Sequence, residues 1–276
     1  MSARRVLVVG AGPAGFMAAA KAAEAGASVL LLEKMKQPGR KMMITGKGRC
    51  NITNVAPVAE IVKNIPGNGS FLYSALHAFD NEDVRDFFRE LGVETKTERG
   101  GRVFPVSDRA ADAVEALVRH LHELGVKIET EARVAEILVE EGHAAGVVLA
   151  SGAKMRADAV VLAVGGASYP GTGSSGDGYA MARALGHTVT DVLPSLVPLV
   201  TEEDWVKEAQ GLSLRNVRVT LLADGKENRR GIRRDDVHAL RRDRAHRSVF
   251  EPHGGAGACG GEIRGACTRL EARPDA

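Results

Sequence analysis

The chain has 276 residues, enough for one large domain or two smaller ones. Hydrophobic residues make up 44% and charged residues 26%, the balance of a globular protein; a net charge of +2 demands neither a nucleic acid nor a membrane partner, and 4% aromatics argue against a base-stacking surface. Three cysteines, at positions 50, 259 and 267, make neither a disulfide framework nor a zinc pattern, and no apolar run approaches transmembrane length.

The opening residues lead straight into a strand with no signal-like apolar segment of their own. The expected setting is therefore reducing and cytoplasmic, with no membrane or nucleic acid partner, and Asn51-Ile52-Thr53 is a chance sequon. Residues 5–9, RVLVV, read as a buried parallel strand. Gly10-Ala11-Gly12-Pro13-Ala14-Gly15 follows and opens an alanine-rich helix over 14–25, closed by Gly26. A second strand over 28–33 ends in Glu33, completing a βαβ unit. Residues 39–54, GRKMMITGKGRCNITN, read as a cationic loop broken by glycines. Helical spacing recurs over 82–92 and 110–125, and Phe104-Pro105 between them reads as a turn against the core. Short strands are expected within 126–150, and 157–164 reads as a fully buried strand ending at Gly165-Gly166. The stretch from Ser168 to Gly178, SYPGTGSSGDG, makes an anion-friendly approach to a helix over 177–186, with Asp177 as its N-terminal cap. Antiparallel strands of a second domain are expected over 196–223. From 227 to 276 the chain has no lysine, many arginines and no apolar period.

A glycine fingerprint alone is weak evidence. Here it follows a strand, opens a helix and precedes an acidic residue at the end of the next strand, the context of a dinucleotide site. Gly10 permits the tight turn, Gly12 lets backbone approach a pyrophosphate, and Gly15 lets helix and strand pack closely. The helix N-terminus, with Ala11, Pro13 and Ala14, faces the phosphates, and Glu33 accepts from the adenosine ribose hydroxyls. The fingerprint does not separate FAD from NAD. Position favours FAD: Glu33-Lys34 runs directly into 39–54, where Gly39, Gly46 and Gly48 allow close backbone approach. Arg40, Lys41 and Arg49 there can neutralise phosphate or an anionic reduced flavin.

In order and spacing, VLVVGAGPAGFMAA, GRKMMITGKGRCNITN, GRVFPVSDRAADAVEAL, VVLAVGGASYPGTGSSGDGYAMARALGHTV and PSLVPL resemble the aminoacetone oxidase-like FAD-dependent oxidoreductases. That family includes 3-dehydro-bile acid delta(4,6)-reductase-like proteins, and the resemblance covers residues 4 to about 226. It implies an α/β, Rossmann-like FAD domain of the two-dinucleotide-binding type, interrupted by a β-rich domain and a small helical one. The expected division is an FAD domain over 1–195, the start of the inserted domain over 196–226, and a tail over 227–276. By resemblance Gly10, Gly12, Gly15, Glu33, Arg40, Lys41, Gly46, Gly48, Arg49, Cys50 and Asn51 fall on the cofactor side. Backbone near Val134 meets the adenine, and Gly165 and Gly166 end a strand at the cofactor crevice. The catalytic candidates are Cys50, whose thiolate neighbouring Arg49 and Lys47 favour, and Tyr169 on the substrate side.

The resemblance also bears on the tail. With one nucleotide skipped after Lys226, an allowed codon choice for KENRRGIRRDDVHALRRDRAHRS reads KIAEEFGEMMFTHYGVTGPIVL, a family-like segment. The expectation is that 227–276 is an out-of-frame, disordered tail; a basic arm that binds nucleic acid is the alternative. Such a chain would lack the family's returning strand and flavin contacts, retain FAD weakly and have low activity. The expected function is NAD(P)H-linked, FAD-dependent oxidoreduction of a small unsaturated or carbonyl substrate. The alternatives are a flavin-free NAD(P) dehydrogenase and a non-catalytic flavin- or RNA-binding module.

Overall fold

A computed structural model describes residues 3–65 and 67–193 in full, together with the backbone of 213–214, 217–223, 226–228, 237–238 and 267–272. The chain forms two compact units, one of residues 1–58 with 74–191 and one of 59–73 with 192–276.

The first unit begins β1 (Arg5–Val9), α1 (Pro13–Glu24), β2 (Ser28–Leu32), α2 (Arg40–Ile44) and β3 (Thr53–Asn54). After α3 (Val58–Lys63), which belongs to the second unit from Ala59 on, and α4 (Tyr73–Ala78) come α5 (Asn81–Glu90), β4 (Thr95–Glu98), β5 (Arg102–Pro105), α6 (Ala110–Glu123) and β6 (Lys127–Glu129). It continues with β7 (Val134–Glu140), β8 (His143–Leu149), β9 (Lys154–Arg156), β10 (Ala159–Leu162) and α7 (Asp177–Ala184). Four parallel strands form a sheet in the order β10-β1-β2-β6, and β7-β8-β9 make an antiparallel meander between β6 and β10. A third, antiparallel sheet has the order β3-β5-β4.

The apolar run of β1 reflects burial on both faces of the sheet. Val8 packs into a cluster with Phe16 of α1, Leu31 of β2 and Leu117 and Leu121 of α6. Leu7 and Val9 point the other way, into a cluster with Leu32, Val134, Val147 and Met181. This alternation places one layer of helices on one face and the meander with α7 on the other. Helix α5 begins with a reciprocal cap: Asp80 accepts from the amides of Glu82 and Asp83, and the Asp83 carboxylate accepts from the Asp80 amide.

Four local expectations change. Phe104-Pro105 is not a turn but the end of β5, because Phe104 pairs with Lys96 of β4 and its ring is buried against Gly46. Residues 40–44 within the presumed loop form a short helix, whose base is fixed by the Gly39 amide donating to the Ala11 carbonyl at 2.8 Å. Strand β10 is not fully buried: among the described residues it has one strand neighbour, β1, and Leu162 is 36% exposed. Gly176, in the left-handed region at φ 84°, is the N-terminal cap of α7 in place of Asp177, whose carboxylate is engaged elsewhere.

In the second unit, β12 (Val217–Ala223) pairs antiparallel with β13 (Lys226–Asn228) and β15 (Cys267–Ala272), and β11 (Ser213–Leu214) pairs with β14 (Val237–His238). The expected boundary at 195/196 and the remainder of the 227–276 tail lie outside the described residues. No helix among the described residues is long and apolar enough to cross a membrane.

Candidate functional site

The carboxyl ends of β1, β2 and β10 open on a cleft of about 470 Å³ within the first unit. One wall is the turn from β1 into α1. Gly10 sits there at φ 101°, and a Cβ on it would lie 2.6 Å from the Ala163 carbonyl oxygen. A Cβ on Gly15 would fall 1.8 Å from the Gly10 oxygen, so these two glycines are demanded by the protein's own packing. Gly12 differs. It lines the cleft at an ordinary φ of −90°, and a Cβ there would meet no protein atom within 4 Å. The space beside Gly12 is therefore open for a ligand. It adjoins the first turn of α1, whose amides have no carbonyl partners within the helix. No side chain caps that end. These are the conditions for holding a phosphate: free donors, the positive end of the helix dipole, and room for close approach.

Glu33 directly follows β2 at the cleft. One carboxylate oxygen accepts from the Ala11 amide and the other from the Met35 amide, each at 2.8 Å. These bonds fix the carboxylate against the glycine turn and leave lone pairs for ligand hydroxyls. Lys34 donates to Asp177 at 2.8 Å and to the Ser175 hydroxyl, joining the end of β2 to the start of α7. The hydrogen bond from Lys34, assisted by that from Ser175, holds the Asp177 carboxyl below its ordinary range. Lys41 donates to the Ser168 carbonyl at 2.8 Å and lies 5.4 Å from the centre of the Tyr169 ring.

Of the residues expected at a cofactor from sequence, the cleft gathers Gly10, Ala11, Gly12, Pro13 and Ala14 on one wall. Glu33, Lys34, Arg40 and Lys41 form its polar rim, and Val134, Gly165 and Gly166 complete it. Gly15 lies behind the turn. Gly46, Gly48, Arg49, Cys50, Asn51 and Tyr169 are not among its lining residues. Arg49 instead pairs with Glu98 at 2.7 Å and stacks 4.1 Å from the Phe104 ring centre, pinning the turn after α2 to the β4–β5 hairpin. Cys50 is 2% exposed, and burial pushes its thiol above the usual range. The thiolate inferred from neighbouring cations is thus disfavoured: Arg49 is taken up by carboxylates, and desolvation dominates. Sequence reasoning missed Ala132, Thr172, Gly173, Ser174 and Met181 as lining residues. The small-residue run GTGSSG marked their segment but not which side chains face inward. Among the described residues no cluster of histidine, cysteine and carboxylates could hold a metal ion.

The chain matches the family described as HI0933-like protein Rossmann domain over residues 4–263. It is 38% identical over 211 residues to the 3-dehydro-bile acid delta(4,6)-reductase of Clostridium scindens, covering 75% of this chain and 50% of that protein. It is 33% identical over 210 residues to the ribosomal RNA dihydrouridine synthase of Escherichia coli K12, with the same coverage. The chain thus spans about half the length of the curated relatives it matches. Among solved structures, 3-ketosteroid-delta4-(5alpha)-dehydrogenase from Rhodococcus jostii RHA1 aligns with a TM-score of 0.52 at 19% identity. That alignment covers 66% of this chain and 54% of that one, a likeness of fold.

Proposed function

The chain belongs to the HI0933-like Rossmann family of flavoproteins, and from that premise we propose that it is the cofactor-binding part of an FAD-dependent oxidoreductase. The observation that carries this reading is Gly12, the one fingerprint glycine that meets no protein atom and faces the cleft beside the amides of α1. Those amides and the cations Arg40 and Lys41 suit the diphosphate, the Glu33 carboxylate suits the adenosine ribose, and Val134 suits the adenine. Bound FAD would supply hydride chemistry at its flavin N5. The protein's part is to orient the dinucleotide along the carboxyl ends of the sheet and to exclude water behind it. Gly46, Gly48, Arg49, Cys50 and Asn51, on the turn beyond α2, are assigned to the redox-active end on the strength of the family resemblance. Tyr169 is the remaining candidate for the substrate side.

The names of two curated relatives support a narrower reading of the substrate. Both names describe saturation of a carbon–carbon double bond conjugated to a carbonyl, in a 3-oxo steroid skeleton and in the uracil ring. We therefore take an activated alkene of this kind as substrate and NAD(P)H as electron donor. Family membership weighs against a flavin-free dehydrogenase. A uridine carried in RNA is a second reading, favoured by the Escherichia coli relative's name. Titration with FAD, read by quenching of flavin fluorescence, tests the core claim: saturable binding is expected, and a chain indifferent to FAD would end it. NAD(P)H oxidation with a 3-oxo-4,6-diene bile acid against ribosomal RNA separates the two substrates. Residues 227–276 we propose to be an out-of-frame translation; coding DNA that disallows the shifted reading after Lys226 refutes this.

A further inference from the structure

We infer that Ser174 is a binding residue of this cleft, its hydroxyl hydrogen-bonded to an oxygen of the ribose–diphosphate–ribityl chain of the bound dinucleotide. The inference rests on the FAD reading above. Ser174 is 8% exposed and lines the cleft, yet its hydroxyl has no hydrogen-bond partner among the described residues. Nε2 of His120 is the one sealed side-chain polar atom without a partner among the described residues, so the Ser174 oxygen stays open to the cleft and within reach of a ligand there.

The surrounding segment shows how unusual this is. Thr172 donates its hydroxyl to the Tyr169 carbonyl at 2.8 Å. The Ser175 hydroxyl accepts from Lys34 and donates to Asp177 at 2.8 Å. The second Asp177 oxygen accepts from Lys34 at 2.8 Å. The side chains of Thr172, Ser175 and Asp177 are therefore satisfied within the protein, and that of Ser174 is not. Its position is constrained as well. A Cβ on Gly165 would come within 3.3 Å of the Ser174 oxygen, so the glycine at that position keeps the hydroxyl's surroundings clear. On one side Gly173 backs onto Met35 and Lys34, and on the other α7 begins. The Lys34–Asp177 pair leaves little net charge beside Ser174. A hydroxyl both donates and accepts, so it matches either a phosphate oxygen or a sugar hydroxyl.

The test is Ser174→Ala in the full chain, with two readouts. Without ligand, the melting temperature should be about unchanged, because no protein hydrogen bond is lost. With FAD, the dissociation constant should rise about five- to tenfold. ADP, measured as a competitor, narrows the oxygen: a loss shared by ADP places it on the adenosine ribose or the diphosphate, and a loss confined to FAD places it on the ribityl side. Unchanged FAD affinity, a lower melting temperature without ligand, or failure to fold would overturn the inference, the last two by revealing a protein partner. If the unaltered chain binds no FAD, the cofactor reading itself falls, and this inference with it.

Discussion

At the scale of single residues, the fingerprint glycines divide into two kinds that the sequence writes identically. Gly15 is required by the fold, since its Cβ would overlap the Gly10 oxygen, whereas Gly12 is required only by what enters the cleft. Gly15→Ala is expected to destabilise the chain by about 1–3 kcal/mol or more. Gly12→Ala should change stability by about 1 kcal/mol at most while weakening FAD binding at least about tenfold, because the added methyl occupies ligand space. Thermal melts of the two variants with and without FAD check both statements. Cys50 provides a contrasting case. Its raised thiol and near-complete burial should make it inert to thiol reagents at neutral pH until the chain unfolds. Labelling kinetics in a Cys259→Ser, Cys267→Ser background measure this, and fast labelling of the native chain would restore Cys50 as a reactive candidate.

At the scale of elements, the Lys34–Asp177 bridge is the contact to examine, because it ties the end of β2 to the start of α7 across 143 residues of chain. The folded Asp177 carboxyl lies below its unfolded value of about 4, so its contribution to stability is present above that pH. The contribution is lost as pH falls through the folded value. Asp177→Asn should therefore lower the melting temperature most at pH 7, and the gap to the unaltered chain should close as pH drops below about 4. A gap undiminished at pH 3 relative to pH 7 would mean that the carboxylate charge is not what Asp177 contributes. Elements with strong local signals were legible in the sequence: β1, α1 and β2 from the apolar run and glycine punctuation, α5 and α6 from helical period and closing glycines. Phe104-Pro105 was not, because its strand character comes from Lys96 opposite it, a partner that local pattern does not reveal.

At the scale of the whole molecule, the chain matches only about half the length of its curated relatives, and on the function proposed above the cleft is the dinucleotide end of the site. Activity is therefore expected to depend on the sequence that follows Lys226. If the tail is out of frame, restoring the frame should tighten FAD binding and raise NAD(P)H oxidation above that of the present chain. Equal FAD affinity and turnover in the two forms would show that residues 227–276 already serve the site.

The sequence by itself determined the dinucleotide fingerprint, the acidic residue that closes it and the family, because these depend on residue type at fixed short spacing. Only the tertiary structure decided which of the candidates share a cleft. It left Arg49 and Cys50 out of the lining of that cleft, because carboxylates from a distant hairpin claim the one and burial neutralises the other. It also singled out Ser174, because whether a hydroxyl has a partner is a property of all its neighbours in space, and no stretch of chain contains them.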